Sequence, residues 1–136
     1  MTPLLNEGLF LPYGGLWIPK RKTKIETGKF YLSYGGNPHP AKVYQKTNVG
    51  TYKAIKTGTT PGKNMIEIKP IQKGLKASYI NNRPFEGTRH DYGDRELLGL
   101  EFNRCDEQII EKVKTRKSRL TKRAKCAYER KKPSSD

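Results

Sequence analysis

A large positive charge combined with few apolar residues is the feature that most limits what this sequence can fold into. The 136 residues include 28 Lys and Arg against 13 Asp and Glu, a formal net charge of +15. Leu, Ile, Val and Phe together number 27, and with this charge the composition borders on that of chains that are disordered in isolation. Because like charges repel one another in a compact monomer, we expect an anionic partner that also supplies burial.

Several classes of protein are excluded by what the sequence lacks. No apolar run approaches the ~20 residues that a helix needs to span a bilayer. The first nineteen residues carry no Lys or Arg, unlike a secretory signal or a transit peptide. Cys105 and Cys126 form no CxxC motif, which argues against a disulfide scaffold and a Cys-rich zinc module. We expect a reducing compartment and interpret both cysteines as residues that pack on a helix.

The charge is divided into blocks along the chain. Residues 1–19 carry a net charge of −1 and residues 20–80 carry +11. Residues 81–104 carry −1 and residues 105–136 carry +6. Two basic regions are thus separated by a nearly neutral segment.

Residues 1–24 are predicted to form an extended apolar arm that ends in a basic cluster. Pro and Gly interrupt every helical or alternating pattern in its apolar part. An apolar segment of this kind is typical of a contact with a neighbouring protein, and packing on its own domain is the alternative. The candidate protein-docking residues are Leu9, Phe10, Leu16 and Trp17, and the basic cluster contains Lys20, Arg21, Lys22 and Lys24.

Residues 25–80 are predicted to form a small β module, because apolar and polar side chains alternate there. Phe30, Leu32 and Tyr34, for example, alternate with polar neighbours, and Gly- and Pro-rich turns separate one run from the next. The pattern predicts four or five short strands in an antiparallel sheet or half-open barrel. The predicted strands lie within residues 28–34, 41–47, 49–57, 64–71 and 75–80.

The rest of the chain is predicted to be a loop followed by a long helix. Residues 81–102 are polar and without a period, which indicates a loop and a short helical turn. Over 103–132, Asn103 is a candidate N-cap, and acidic residues precede basic ones as the helix dipole favours. The apolar stripe of this basic amphipathic helix comprises Ile109, Val113, Leu120, Ala124 and Ala127. The expected fold class is therefore α+β, with an extended N-terminal arm, a long basic C-terminal α-helix and a tail over residues 133–136.

No constellation in the sequence supports catalysis. The acidic residues between 91 and 101 lie beside arginines, which favours a solvated ion-pair surface over an acid–base pair. His39 and His90 have no Ser or Cys nucleophile in a recognisable setting, and the candidate metal ligands are not paired along the chain. The stretch 58–64 has a spacer one residue too short for a phosphate loop. We expect no enzyme, no cofactor and no metal site.

The basic residues support the function for which the sequence argues best. Lys and Arg close to a polyphosphate displace its counterions, which is the main sequence-independent source of nucleic-acid affinity. Tyr rings interleaved with Lys offer faces on which unpaired bases stack. A run of charged residues can also be only a solvated face of the protein. However, 28 Lys and Arg residues around so small a core favour an RNA or DNA partner. The candidate RNA-binding residues are Lys20, Arg21, Lys22, Lys24, Lys42, Tyr44, Lys46, Tyr52, Lys53, Lys56, Lys63, Arg116, Lys117, Arg119, Lys122, Arg123 and Lys125.

The combination of a small β module, an apolar arm and a basic helix is similar to the general style of ribosomal proteins. In that class, basic extensions thread along folded ribosomal RNA beside a modest globular body. The resemblance implies a structural subunit of a ribosome whose partners are ribosomal RNA and neighbouring ribosomal proteins, with no small-molecule substrate and no membrane span. Because no motif matches a universal ribosomal family, we expect an organellar ribosome in the mitochondrial matrix, or otherwise a cytoplasmic ribosome.

Two other classes of function stay open. One is a non-catalytic accessory subunit of another large assembly, a respiratory complex or a capsid, that is held mainly by protein contacts. The other is a small enzyme with an unfamiliar site, which a pocket that collects His90, Asp91 and Cys105 would indicate.

Overall fold

The computed structural model describes residues 24–131 of the chain. This range contains seven β-strands and two α-helices. The strands are β1 (Phe30–Ser33), β2 (His39–Lys46), β3 (Thr51–Gly58), β4 (Met65–Ile68), β5 (Ser78–Asn81), β6 (Phe85–Thr88) and β7 (Arg119–Leu120). The helices are α1 (Glu107–Lys114) and α2 (Lys122–Lys131). Each of the five stretches in which the sequence predicts a strand overlaps one, from β1 to β5, although β2 begins earlier and β3 and β5 end later than predicted.

The predicted α+β fold class with a long basic C-terminal helix is wrong. The described residues form a mostly antiparallel β-structure with two short helices, α1 of eight residues and α2 of ten. Between Val113 and Leu120 the sequence has no apolar side chain that a continuous helix could bury. The backbone N–H groups of Arg119 and Thr121 instead donate to the carbonyl oxygens of Pro84 and Glu86 at 2.8 and 3.1 Å. The chain therefore leaves the helix to add β7 alongside β6.

The predicted apolar stripe is divided between the two helices and β7, which contains Leu120. Ile110 and Val113 of α1 are buried, and Ala124 and Ala127 of α2 are buried. Ile109, which was expected on the stripe, is exposed instead. Each helix thus buries two residues three positions apart, which is the spacing of one helix face.

Strand β3 lies at the centre of the sheet. It pairs antiparallel with β2 along one edge, where a register shift between Val43 and Gln45 interrupts the ladder. Along its other edge it pairs first with β6 and then, at Thr57 and Gly58, with β5. The hairpin of β4 and β5 therefore extends from the far end of β3, and β6 carries β7 as its parallel neighbour.

The segment after β6 returns to the outer edge of β1. A 3₁₀ turn (Arg89–Asp91) redirects the chain, and bridges then join Ser33 to Tyr92 and Phe30 to Leu97. The N–H of Gly93 donates to the carbonyl oxygen of Leu32 at 2.7 Å. The segment that follows β6 therefore crosses to the opposite side of the sheet and runs along the outer edge of β1.

Two apolar clusters pack on the two faces of the sheet. One cluster includes Ala54 and Tyr92, and the other includes Ile55 and Ile110. Because neighbouring residues of a strand point to opposite faces, β3 contributes to both clusters. A sheet that is covered on both faces gives this chain more burial than its composition indicates.

Three further expectations from the sequence are corrected by the structure. The interpretation of residues 81–102 as a loop misses β6. Asp91 is buried and is not part of a solvated ion-pair surface. Cys105 and Cys126 are both exposed, so neither packs against a helix.

Other expectations hold, or fall outside the described residues. Asn103 caps a helical turn as predicted, since its Oδ1 accepts the N–H of Cys105 at 2.8 Å, but that turn is the 3₁₀ turn Arg104–Asp106 ahead of α1. The residues of the predicted arm before Lys24 and the predicted tail lie outside the described part of the chain. The same holds for Lys20, Arg21 and Lys22, and for Leu9, Phe10, Leu16 and Trp17.

Candidate nucleic-acid interface

A cleft of about 500 Å³ is lined, among the described residues, by five basic side chains and by no acidic one. It lies between the turn after β1, the end of β3, the segment from β5 to β6, and the segment from β7 to the start of α2. We call it the basic cleft. Its lining residues are Gly35, Asn37, His39, Lys56, Thr57, Met65, Asn81, Arg83, Pro84, Phe85, Arg119, Leu120, Thr121 and Lys122.

Lys56 is the most buried cation of the basic cleft, with 7% of its surface exposed. Its Nζ donates to the carbonyl oxygen of Gly35 at 2.9 Å and lies 5.0 Å from the centre of the Phe85 ring. Among the described residues, no carboxylate forms an ion pair with it. Because a buried charge is costly without a counter-charge, Lys56 provides a site at which an anion is favoured.

The positive groups of the basic cleft repel one another. Burial lowers the pKa of Lys56, and the nearby charge of Arg119 lowers it further. Burial also lowers the pKa of His39, with a further contribution from the charge of Lys56. A bound anion would relieve this repulsion, since an opposite charge favours the charged form of each group.

Two arginines fasten the basic segment before β7 to the chain after β5. Arg83 donates through Nε to the carbonyl oxygen of Lys117 at 2.9 Å and through a terminal nitrogen to that of Ser118 at 3.3 Å. In return, Arg116 donates to the carbonyl oxygen of Asn82 at 2.9 Å. Arg119 is thereby held beside the basic cleft, although it lies far from Lys56 in the sequence.

The start of α2 is attached to the buried carboxylate of Asp91. Thr121 Oγ1 donates to Asp91 Oδ2 at 2.6 Å, and the Arg123 guanidinium pairs with Asp91 Oδ1 at 3.1 Å. The hydroxyl of Thr121 also accepts the N–H of Ala124 at 3.1 Å. Lys122 follows directly and is exposed at the cleft, where the partial positive charge at the beginning of the helix adds to its own. Arg123, by contrast, already has an acidic partner.

The predicted stacking tyrosines lie inside the protein. Tyr52 is buried, and its ring meets that of Tyr92 edge to face with centroids 6.2 Å apart. Tyr44 is half-buried beneath Lys114, whose Nζ lies 5.0 Å from the ring centre. The interleaving of Lys and Tyr in the sequence therefore corresponds to contacts within the protein.

Other candidate residues from the sequence lie outside the basic cleft. Lys42 lies over the Phe102 ring at 5.5 Å and borders a different cleft. Lys53 is half-buried. Lys24, Lys46, Lys63, Lys117 and Lys125 are exposed.

A second cleft, of about 740 Å³ between β2 and α1, has mixed charge and is called the mixed cleft. Its charged lining residues are Lys42, Glu101, Arg104, Glu107, Glu111 and Lys114. Lys114 forms an ion pair with Glu111 at 2.7 Å, so part of this charge is already neutralised. The Tyr44 hydroxyl at its base is buried without a hydrogen-bond partner among the described residues. Burial, assisted by the charges of Glu86 and Glu111, raises the pKa of Tyr44 to about 12.

The structure unites predicted and unpredicted residues in the basic cleft. Lys56, Arg119 and Lys122 were predicted to bind RNA, whereas His39 and Arg83 were not. Arg83 lies three residues after the predicted strand 75–80, in the segment that the sequence indicates is a loop, so its positive charge was the only available signal. His39 had no signal of its own, because it reaches the cleft only through the pairing of β1 with β2.

Comparisons and searches of the described residues add no other site. No group of three or more His, Cys, Asp or Glu within residues 24–131 could hold a metal ion. No helix in that range is long and apolar enough to cross a membrane. Comparison of the chain with protein-family models, with curated proteins and with solved structures finds no match.

Proposed function

We propose that this chain is a structural RNA-binding protein that contacts the phosphate backbone through the basic cleft and through the exposed Lys and Arg side chains that follow α1. The observation that carries the proposal is the basic cleft itself, in which five basic residues from four parts of the chain face one volume that no acidic residue of the range 24–131 lines. Such an arrangement is costly for the protein alone, since its cations repel one another. It becomes favourable when phosphates replace the missing acidic groups.

The role that fits this interface is scaffolding. Lys and Arg neutralise phosphates so that RNA segments can approach one another, and no catalytic step is assigned to the chain. With Tyr44 and Tyr52 engaged inside the protein, the proposed contacts are ionic and do not depend on base stacking at these rings. The proposed setting remains a ribosomal subunit, in an organelle or in the cytoplasm.

The test of RNA binding is its dependence on salt. A labelled RNA hairpin of mixed sequence is titrated with the full chain at several NaCl concentrations, and fluorescence anisotropy gives the association constant. The logarithm of that constant should fall linearly with the logarithm of the salt concentration, by about 0.7 to 0.9 for each phosphate that the protein neutralises. An affinity that does not change with salt contradicts the proposal.

Matched variants locate the interface. Arg119→Gln removes a charge at the basic cleft, and we expect it to weaken binding and to reduce the salt slope by about one unit. Lys112→Gln removes one charge from an exposed position of α1 and should leave both quantities nearly unchanged. Equal effects of the two variants would show that RNA is held only by the total charge of the protein.

The assembly is identified by sedimentation of the native complex with and without ribonuclease. We expect the chain to sediment with large RNA-containing particles and to leave them when the RNA is digested. Sedimentation that ribonuclease does not change indicates an accessory subunit held by protein contacts, and it contradicts the proposed role.

A further inference from the structure

We propose that the basic cleft binds a terminal phosphate group, the phosphomonoester at the end of a nucleic-acid strand or on a mononucleotide. The inference rests on the proposed function for its nucleic-acid source and names the group that the cleft selects. Its basis is the convergence of the cleft's cations, its volume, and the buried position of Lys56.

The first argument is the concentration of charge. Lys56, Arg83, Arg119 and Lys122 line one volume and reach it from three segments of the chain, and His39 adds a charge when it is protonated. An internal phosphodiester carries a single negative charge, and successive charges are spaced along the strand. A phosphomonoester carries between one and a half and two negative charges near neutral pH, together with three strong acceptor oxygens. The convergent cations match the second kind of group.

The second argument is the state of Lys56. Its ammonium group is a compact charge with three donors, and only one bond, to the carbonyl oxygen of Gly35, uses them within the described residues. The remaining donors form no ion pair with a carboxylate of the described residues. Phosphate oxygens are suitable acceptors, and a charge-assisted bond to them is shorter and stronger than a bond between neutral groups.

The third argument is the size and lining of the cleft. Its volume of about 500 Å³ lies within the range of pockets that take small molecules. Beyond the cations, Asn37 and Asn81 offer amide groups, and Met65 and Leu120 offer apolar surface. A terminal nucleotide presents the corresponding groups, since a charged phosphate is attached to a sugar and a base with polar edges.

The test compares RNA strands that differ in one group. One short single-stranded RNA is prepared with a 5′-phosphate, with a 3′-phosphate and with hydroxyl groups at both ends, and an internal label reports binding. We expect one of the phosphorylated strands to bind about five- to twentyfold more tightly than the hydroxyl form. Adenosine 5′-monophosphate and inorganic phosphate serve as competitors, and they show whether the phosphate alone is recognised.

Variants assign the preference to the cleft. Lys56→Met and Arg119→Gln should each remove most of the preference for the phosphorylated strand, whereas Lys112→Gln should retain it. Arg119 is exposed, so its variant tests the site even if the substitution of the buried Lys56 disturbs folding, which circular dichroism monitors. Equal affinity of all three strands for the wild-type protein overturns the terminal-phosphate proposal while leaving RNA binding intact.

The remaining outcomes separate the two proposals. Binding of adenosine 5′-monophosphate that is lost in Arg119→Gln, without measurable affinity for any RNA strand, supports the phosphate site and contradicts the RNA-binding function. A preference for phosphorylated strands that survives in both cleft variants places the phosphate elsewhere and overturns the assignment to this cleft.

Discussion

Asp91 is the residue on which most of the contacts between the sheet and the start of α2 depend. With 3% of its surface exposed, its carboxylate accepts hydrogen bonds from the Thr88 N–H at 2.8 Å and from Thr121 Oγ1, and it pairs with Arg123. The residue that lies against Asp91 at position 87 must be glycine, because a Cβ at that position would lie 2.7 Å from the Cβ of Asp91. Asp91 is therefore an acidic residue with a structural role.

Asp91→Asn should destabilise the protein. The amide keeps the shape of the carboxylate but loses its charge and one acceptor, so that donors of Thr88, Thr121 or Arg123 lose a partner. We expect the free energy of unfolding in urea to fall by about 2 kcal/mol, as for a buried hydrogen bond to a charged group. Glu67→Gln is the control, since Glu67 is exposed and forms no ion pair or side-chain hydrogen bond within the described residues, so its loss should change the free energy of unfolding by less than about 1 kcal/mol. Similar losses in the two variants contradict the structural role of Asp91.

His39 should make anion binding depend on pH. Burial and the charge of Lys56 lower the pKa of His39 below its usual value of 6.5, so the imidazole is mainly neutral at pH 7. A bound anion favours the protonated form and raises this pKa, which means that binding takes up a proton. Sulfate affinity should therefore increase as the pH falls from about 7 to 5, where sulfate itself does not titrate.

Calorimetric titration of sulfate at several pH values measures this dependence. The His39→Gln variant should bind sulfate with little change over the same interval, because the group that takes up the proton is absent. A pH dependence that persists unchanged in His39→Gln assigns the effect to another group and contradicts the role of His39.

At the scale of elements, α2 is held to the sheet chiefly by polar contacts. Its described buried side chains are the small residues Ala124 and Ala127. Near its other end, the Tyr128 hydroxyl donates to Glu86 Oε2, which also accepts Thr51 Oγ1 at 2.5 Å. Since Glu86 is 2% exposed, this cluster joins the helix to the centre of the sheet.

Tyr128→Phe should loosen α2 without unfolding the sheet. The substitution removes a bond to a buried carboxylate, which costs about 1.5 to 3 kcal/mol and corresponds to roughly ten- to 150-fold more frequent opening. Hydrogen exchange should therefore become faster at the amides of α2 and remain unchanged in α1. Tyr34→Phe provides the control, because Tyr34 is exposed and its hydroxyl makes no hydrogen bond within the described residues. Unchanged exchange in α2 contradicts the proposed attachment.

The elements differ in how far the sequence could predict them. Alternation predicted β1 to β5, because each predicted stretch has apolar residues at a spacing of two. The break between α1 and α2 was missed, because the seven-residue spacing from Val113 to Leu120 also fits a helix. The absence of any apolar residue between these two was the available signal, and the pairing of β7 with β6 is a tertiary contact that no local pattern contains.

The candidate site was predicted only in part for the same reason. Charge alone singled out Lys56, Arg119 and Lys122, but it did not distinguish them from exposed lysines elsewhere. What makes the basic cleft specific is the absence of acidic neighbours, and that depends on which segments the fold brings together. The opposite error occurred at Tyr52, where a residue next to lysines proved to belong to the core.

Across the whole molecule, positive charge is segregated rather than evenly balanced. In the part of the chain that the structure describes, no acidic residue lines the basic cleft, whereas Glu101, Glu107 and Glu111 line the mixed cleft. Part of the positive charge that makes up the net +15 therefore lies, without acidic residues beside it in the described range, where anions are proposed to bind. Without its partner, the folded protein should carry the cost of this repulsion in its own stability.

Added NaCl should stabilise the isolated protein. Salt ions screen the interaction between charges that lie more than a Debye length apart. The Debye length falls from about 30 Å at 0.01 M to about 8 Å at 0.15 M ionic strength. Added salt therefore weakens the repulsion among the many Lys and Arg side chains, whereas it screens the buried contacts of Asp91 and Glu86 much less. The urea concentration at the unfolding midpoint, followed by circular dichroism, should rise with NaCl. Urea is required because guanidinium chloride is itself a salt.

A charge-reduced variant separates this repulsion from other effects of salt. Lys63, Lys117 and Lys125 are exposed and form no ion pair or side-chain hydrogen bond within the described residues, so their replacement by Gln removes three charges without breaking a contact. The triple variant should be more stable than the wild type at low salt and should gain less from added NaCl. If salt instead lowers the urea midpoint of the wild type, attractive ion pairs outweigh the repulsion between positive charges. That result contradicts the idea that an anionic partner stabilises the protein by relieving this repulsion.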